Sequence, residues 1–143
     1  MIHLQLVTLD GTKVDEEVYE VLLPTMDGQI GVMPGHMALV SVATSGVVSV
    51  RKKPNDRDDM MDHYAISGGA IEVENDNLRL LVDEADHADD ISEQEAQKAF
   101  ERAKKMKSEA KDEVSLEQAQ SLMDRHAVRL QVAGLRRRHN RQR

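Results

Sequence analysis

Close to residue 88 the spacing of apolar side chains changes from every second residue to every third or fourth, so one chain must build two kinds of layer. Before the change, Ile2, Leu4 and Leu6 alternate with His3 and Gln5, and Asp10-Gly11 marks a turn. Residues 18–23 form a second strand-like run closed by Pro24. Residues 38–43 and 47–50 are apolar and β-branched, with Thr44-Ser45-Gly46 between them. The charged stretch RKKPNDRDDMMD, residues 51–62, reads as a long hairpin tip. Tyr64 and Ile66 lead to Ser67-Gly68-Gly69, read as a hairpin bulge; Ile71 and Val73 lead to the turn Asn75-Asp76-Asn77, then Leu78, Leu80 and Val82. Short strands with turn signals at this spacing predict an antiparallel β-sandwich or flattened barrel over residues 1–88.

After the change, Ala96, Ala99, Phe100, Ala103, Met106 and Ala110 follow helical steps among Glu, Lys and Arg. Ser92-x-x-Glu95 has capping-box spacing at the start, and Ser115-x-x-Gln118 repeats it after a break at residues 112–114. A second helix is then marked by Leu116, Ala119, Leu122, Met123, His126, Leu130 and Ala133. Two helices of about 20 residues, each about 30 Å long, with a short break between them predict an antiparallel helical hairpin over residues 89–143. Its small residues bury little apolar area, which fits both a hairpin that opens at low cost and one fixed on the sandwich.

Composition narrows the chemistry. Aromatic residues are 2% of the chain, too few for the stacking platform of a single-strand nucleic-acid binder. The absence of cysteine excludes thiol catalysis and Cys-based zinc sites. No apolar run reaches the roughly 18 residues of a membrane span, and the start MIHLQLVTLD lacks a basic region followed by a long apolar block, so a soluble, unprocessed start is expected. The net charge of -7 divides unevenly: residues 1–90 hold 6 Lys+Arg and 18 Asp+Glu, giving -12, and residues 91–143 hold 13 and 8, giving +5. Opposite signs on two parts point to an interaction arm.

Among candidate sites, residues 23–37, LPTMDGQIGVMPGHM, combine the turn dipeptides Asp27-Gly28 and Pro34-Gly35 with the apolar Ile30, Val32 and Met33. They read either as an ordinary hairpin or as a loop holding Gln29, Met33 and His36 outward for docking. His36 and His63 fall on presumed loops, and no metal-ligand spacing surrounds any histidine. Glu84, Asp86, Asp89 and Asp90 read as a solvated linker, with Asp89-Asp90 favouring the first helix through its dipole. Arg125, Arg129, Arg136, Arg137 and Arg138, extended by Arg141 and Arg143, form a basic end suited to an acidic partner. A stand-alone adaptor or nucleic-acid-binding module is the alternative, opposed by the acidic bulk. No nucleophile with a base and no phosphate cradle is visible, so no catalytic residue is assigned.

LPTMDGQIGVMPGHMALV, then GVVSV, then SGGAIEVENDNLRLLVDEADHADDI, resemble in this order the epsilon subunit of bacterial-type rotary ATP synthases. The resemblance implies a non-catalytic rotor subunit of a proton-translocating enzyme, coupling ring rotation to ATP synthesis, on the cytoplasmic face of a bacterial plasma membrane rather than a plastid membrane. Its partners would be the gamma subunit, the c-subunit ring and the catalytic beta and alpha subunits, without nucleic acid, and the membrane would be met only through the complex. Gln29, Ile30, Gly31, Val32, Met33, Pro34, Gly35 and His36 would face ring and shaft, Gln29 standing where the family often has Glu. Arg125, Arg129 and Arg136 to Arg138 would meet an acidic segment of beta and block hydrolysis. Some members bind ATP at an IDxxRA motif, matched here by Ile91, Ser92, Glu95 and Ala96, with Arg102 as a helper. Ser92 and Glu95 replace the motif's Asp and Arg, so weak or no ATP binding, and no other cofactor or metal, is expected.

Overall fold

A computed structural model describes the backbone of residues 1–142 and the side chains of residues 1–136. Eight strands come first: β1 (Ile2–Thr8), β2 (Gly11–Val18), β3 (Glu20–Thr25), β4 (Gly28–Val32), β5 (Leu39–Arg51), β6 (Asp62–Glu74), β7 (Asn77–Val82) and β8 (Ala85–His87). Two helices follow, α1 (Glu93–Glu109) and α2 (Glu113–Gln142). The strands pair in the order β2-β1-β7-β6-β5-β3-β4, with β8 added to β6, and fold over one core. Ile2, Leu4, Leu6, Leu23, Ile71, Leu78 and Leu80 are each almost wholly buried there. The alternation visible in the sequence is therefore the inside and outside of a sandwich, with helices beyond it.

One ladder departs from the antiparallel expectation: β1 runs parallel to β7, His3 opposite Asn77 through Val7 opposite Leu81. Some 70 residues separate the two strands, so no hairpin constrains their relative direction. The run at residues 18–23 is also not one strand. The chain bends at Tyr19, whose N–H donates to the Arg51 carbonyl at 2.9 Å, and Pro24 lies inside β3 instead of closing it. Pro24 is tolerated because the β3–β5 register breaks between Leu22 and Thr25, where no N–H is called for.

The break expected at Thr44-Ser45-Gly46 and the bulge expected at Ser67-Gly68-Gly69 both lie within continuous strands, at a corner of the sandwich. β5 passes unbroken through Thr44-Ser45-Gly46, and β6 through Ser67-Gly68-Gly69, the two segments facing each other in register. At this corner β6 changes its second partner from β8 to β7. Close approach explains the glycines: a Cβ on Gly69 would lie 1.9 Å from the Leu81 carbonyl oxygen, and one on Gly46 2.8 Å from the Pro24 Cβ. His63 accordingly lies in β6, not on a loop, bonded through Nδ1 to the Ser49 hydroxyl at 2.8 Å.

The tip after β5 is a ten-residue loop, residues 52–61, held by Arg51, which pairs with Glu20 and Asp58. The first helix starts as its capping signal suggests, Ser92 Oγ accepting from the Glu95 N–H. The second starts three residues earlier than its signal: Asp112, not Ser115, caps it, accepting the Ser115 N–H at 2.7 Å. That bond holds the Asp112 carboxyl below its usual range. At 30 residues α2 outruns the 17 of α1, so its far half must find cover on the sandwich.

Candidate functional site

Two surfaces carry the candidate residues. The first begins at the β3–β4 hairpin, where Thr25 accepts the Asp27 N–H and donates to the Gly28 carbonyl at 2.6 Å. Thr8-Leu9-Asp10-Gly11 repeats this turn with equivalent bonds between β1 and β2. Gln29 and Gly31 are exposed on edge strand β4, and Met33, Pro34 and Gly35 are exposed beyond it. Gly35, at φ 84, gives its N–H to Asp76 Oδ1 at 2.8 Å, which fixes the loop on the β6–β7 turn. Not all of the proposed contact stretch reaches the surface. Val32 is fully buried and Ile30 packs against the core, because β4 must pay for its edge position with one apolar face. Half-buried His36 bonds through Nδ1 to the Met37 carbonyl at 2.7 Å.

Apolar exposure continues where the sequence reading stopped. Met37, Val40 and Val42 are 76%, 81% and 61% exposed, Val40 and Val42 sharing the outer face of β5. A strand apolar on both faces, with Ala43 inside and Val40 and Val42 outside, is the signal that would have revealed it.

The second surface joins α2 to the segment after β7. Arg125 pairs with Glu84, Arg129 Nε lies 3.5 Å from Asp86 Oδ2, and Arg136 Nη1 donates to the Ala88 carbonyl at 2.6 Å. Geometry favours the match: two strand residues advance about 6.6 Å and four helix residues about 6 Å, so steps 84 to 86 and 125 to 129 keep pace. The expected solvated linker is thus partly a strand, β8, with Asp86 inside it and Glu84 just before it engaged by the arginines. His87 is fixed edge-on to Tyr64, ring centres 4.9 Å apart, and burial foremost pushes the Tyr64 phenol up to about 12. Below the arginines, Val132 and Ala133 pack with Ala65, Ala88, Ile91 and Ala96 in a cluster separate from the sandwich core. Arg137 and Arg138, with Arg141 and Arg143, have side chains outside the described residues.

The residues matched to the nucleotide motif do not form a cradle. Ile91 is 2% exposed and Ala96 fully buried in that cluster, while Ser92 is engaged as the cap of α1. Glu95 and Arg102 are exposed. Among the described residues no group of His, Asp and Glu is placed to hold a metal ion.

Both parts of the chain match known family models. The beta-sandwich domain of the ATP synthase delta/epsilon chain covers residues 1–88, and the long alpha-helix domain covers residues 89–134. The chain belongs to the ATP synthase delta/epsilon chain family. The epsilon chain of Halalkalibacterium halodurans is 34% identical, with 93% of this chain and 97% of that protein aligned. That of Synechococcus elongatus is 38% identical over 87% and 89%. A chain in the Euglena gracilis mitochondrial ATP synthase, solved as OSCP, F1 and c-ring in rotational state 1, superposes with TM-score 0.77 at 26% identity, covering 92% of this chain and 80% of its own. This epsilon chain is a non-catalytic subunit of an ATP synthase, and its fold is that of chains in the central part of such assemblies. No helix among its described residues is long and apolar enough to cross a membrane.

Proposed function

We propose that this epsilon chain stands in the central stalk on the cytoplasmic face of a bacterial membrane, its sandwich on the gamma subunit and the polar loops of the rotor ring. Its helical hairpin restrains ATP hydrolysis by moving from the sandwich to the catalytic beta subunits. The contact surface comprises Gln29, Gly31, Met33, Pro34, Gly35 and His36, extended by Met37, Val40 and Val42, with Val32 supporting it from within. Gln29 supplies a neutral hydrogen bond where a Glu would form a charged one, a weaker tie to a ring arginine.

The pairing of Arg125 and Arg129 with Glu84 and Asp86 carries the inhibitory reading. The same arginines that would grip an acidic segment of beta are held by carboxylates of the chain's own sandwich, so folded and extended states compete for one set of charges. Partly exposed ion pairs are worth about 0.2–1 kcal/mol each, and the apolar side chains α2 buries on α1 and the sandwich are chiefly alanines with Val132, so the cost of release is modest. Truncation after Glu113 removes α2. The truncated complex is expected to assemble and synthesise ATP normally while hydrolysing it faster; hydrolysis at the native rate would sink the inhibitory role.

ATP is not a ligand of the folded hairpin in this reading. Glu95 places a negative charge where the family motif has arginine, and Arg125 and Arg129 are already neutralised. Titration calorimetry on the full chain is expected to show no binding at micromolar ATP.

A further inference from the structure

His126 stands in the seam of the hairpin, one heptad from Ala119 and one from Ala133, both fully buried. Its Nδ1 is shut off from solvent and has no hydrogen-bond partner among the described residues. A neutral imidazole tolerates this by keeping the proton on Nε2, leaving only an unused acceptor at Nδ1. Protonation puts an N–H on Nδ1 as well, an unpaired buried donor on a charged ring. The charged neighbours sharpen the conflict. Arg125 and Arg129 flank the ring on α2, Arg102 faces it from α1, and Glu84, the single facing carboxylate among those neighbours, comes from the segment after β7. Glu84 is itself paired with Arg125. Burial first, then Arg129, Arg125 and Arg102, lower the imidazole's pKa from its ordinary 6.5, against a smaller opposing effect of Glu84.

We propose that His126 makes the folded hairpin sensitive to acid, so that protonation of this one ring releases α2 from α1 and the sandwich. The sign follows from linkage. The open state takes up its proton near the ordinary value and the folded state only at lower pH, so folding carries no penalty above that value and an increasing one below it. Each unit of lowering multiplies the open-to-folded ratio about tenfold once both forms are protonated. The release does not depend on what the freed helix then binds; if α2 inhibits hydrolysis as proposed above, acid places it in the inhibiting state.

The absence of cysteine allows clean labelling of the full chain at Thr12→Cys and Ser121→Cys, both exposed, for spin-label distance measurement. A single short distance is expected at about pH 7.5, with a long component growing several-fold by about pH 5.5, a window above the ordinary carboxylate range. With His126→Gln the short distance is expected to persist across that window. Arg102→Gln, which removes one facing cation and leaves the ring, is expected to move the opening midpoint to lower pH. A native chain that stays closed at about pH 5.5, or an opening curve unchanged by His126→Gln, overturns the proposal.

Discussion

Gly69 shows how little freedom single residues have at the sandwich corner. Its missing Cβ lets β7 approach until the Leu81 carbonyl occupies the space a side chain would need, 1.9 Å away, and that atom is backbone and cannot swing aside. Gly69→Ala is therefore expected to destabilise the sandwich by about 3 kcal/mol or more, at the upper end of overpacking costs. Urea unfolding checks it: a lower midpoint at unchanged slope is the expected result. The sequence marked Gly68-Gly69 as special but could not give the reason. Local turn chemistry and a long-range close approach both select glycine, and only the register opposite Ala43 and Val82 separates them. Val32 presents the same ambiguity inverted, since an apolar residue in a docking loop and one in the core look alike until the pleat is known.

At the scale of elements, helix and strand types were legible because their periods differ, and the resemblance placed the two parts in order. The pairing of α2 with the segment after β7 was not. Glu84 and Asp86 lie in a run of carboxylates that any solvated linker shares, and nothing local announces arginines 40 residues on. The match of strand rise to helix rise exists only once both elements are built. Its consequence is testable with opposite sign to the truncation: Glu84→Gln with Asp86→Asn frees Arg125 and Arg129 and should deepen inhibition. Hydrolysis by the assembled complex is expected to fall severalfold, with sandwich stability kept, because both carboxylates are partly exposed and neither belongs to the core.

For the whole molecule, the charge division becomes an attraction between its parts. Arg125 and Arg129 of α2 lie against Glu84 and Asp86 of the acidic residues 1–90 when the hairpin is folded. Salt weakens this attraction, since the screening length falls from about 10 Å at 0.1 M to about 3 Å at 1 M. Small-angle scattering of the isolated chain at neutral pH is expected to show a radius of gyration that grows with salt; a constant radius would mean that apolar packing alone holds α2.

The parallel ladder between the first strand and β7 also sets an order of events during translation. A nascent chain stopped before Asn77 has β1 paired only with β2, one edge bare and the core without Leu78, Leu80 and Val82. The sandwich can therefore close only after the seventh strand has left the ribosome, and the long loop closure that this requires is expected to slow that step. The helices emerge later onto a finished surface and take no part in the main core. A chain born in that order completes its sandwich first and acquires its helical arm last.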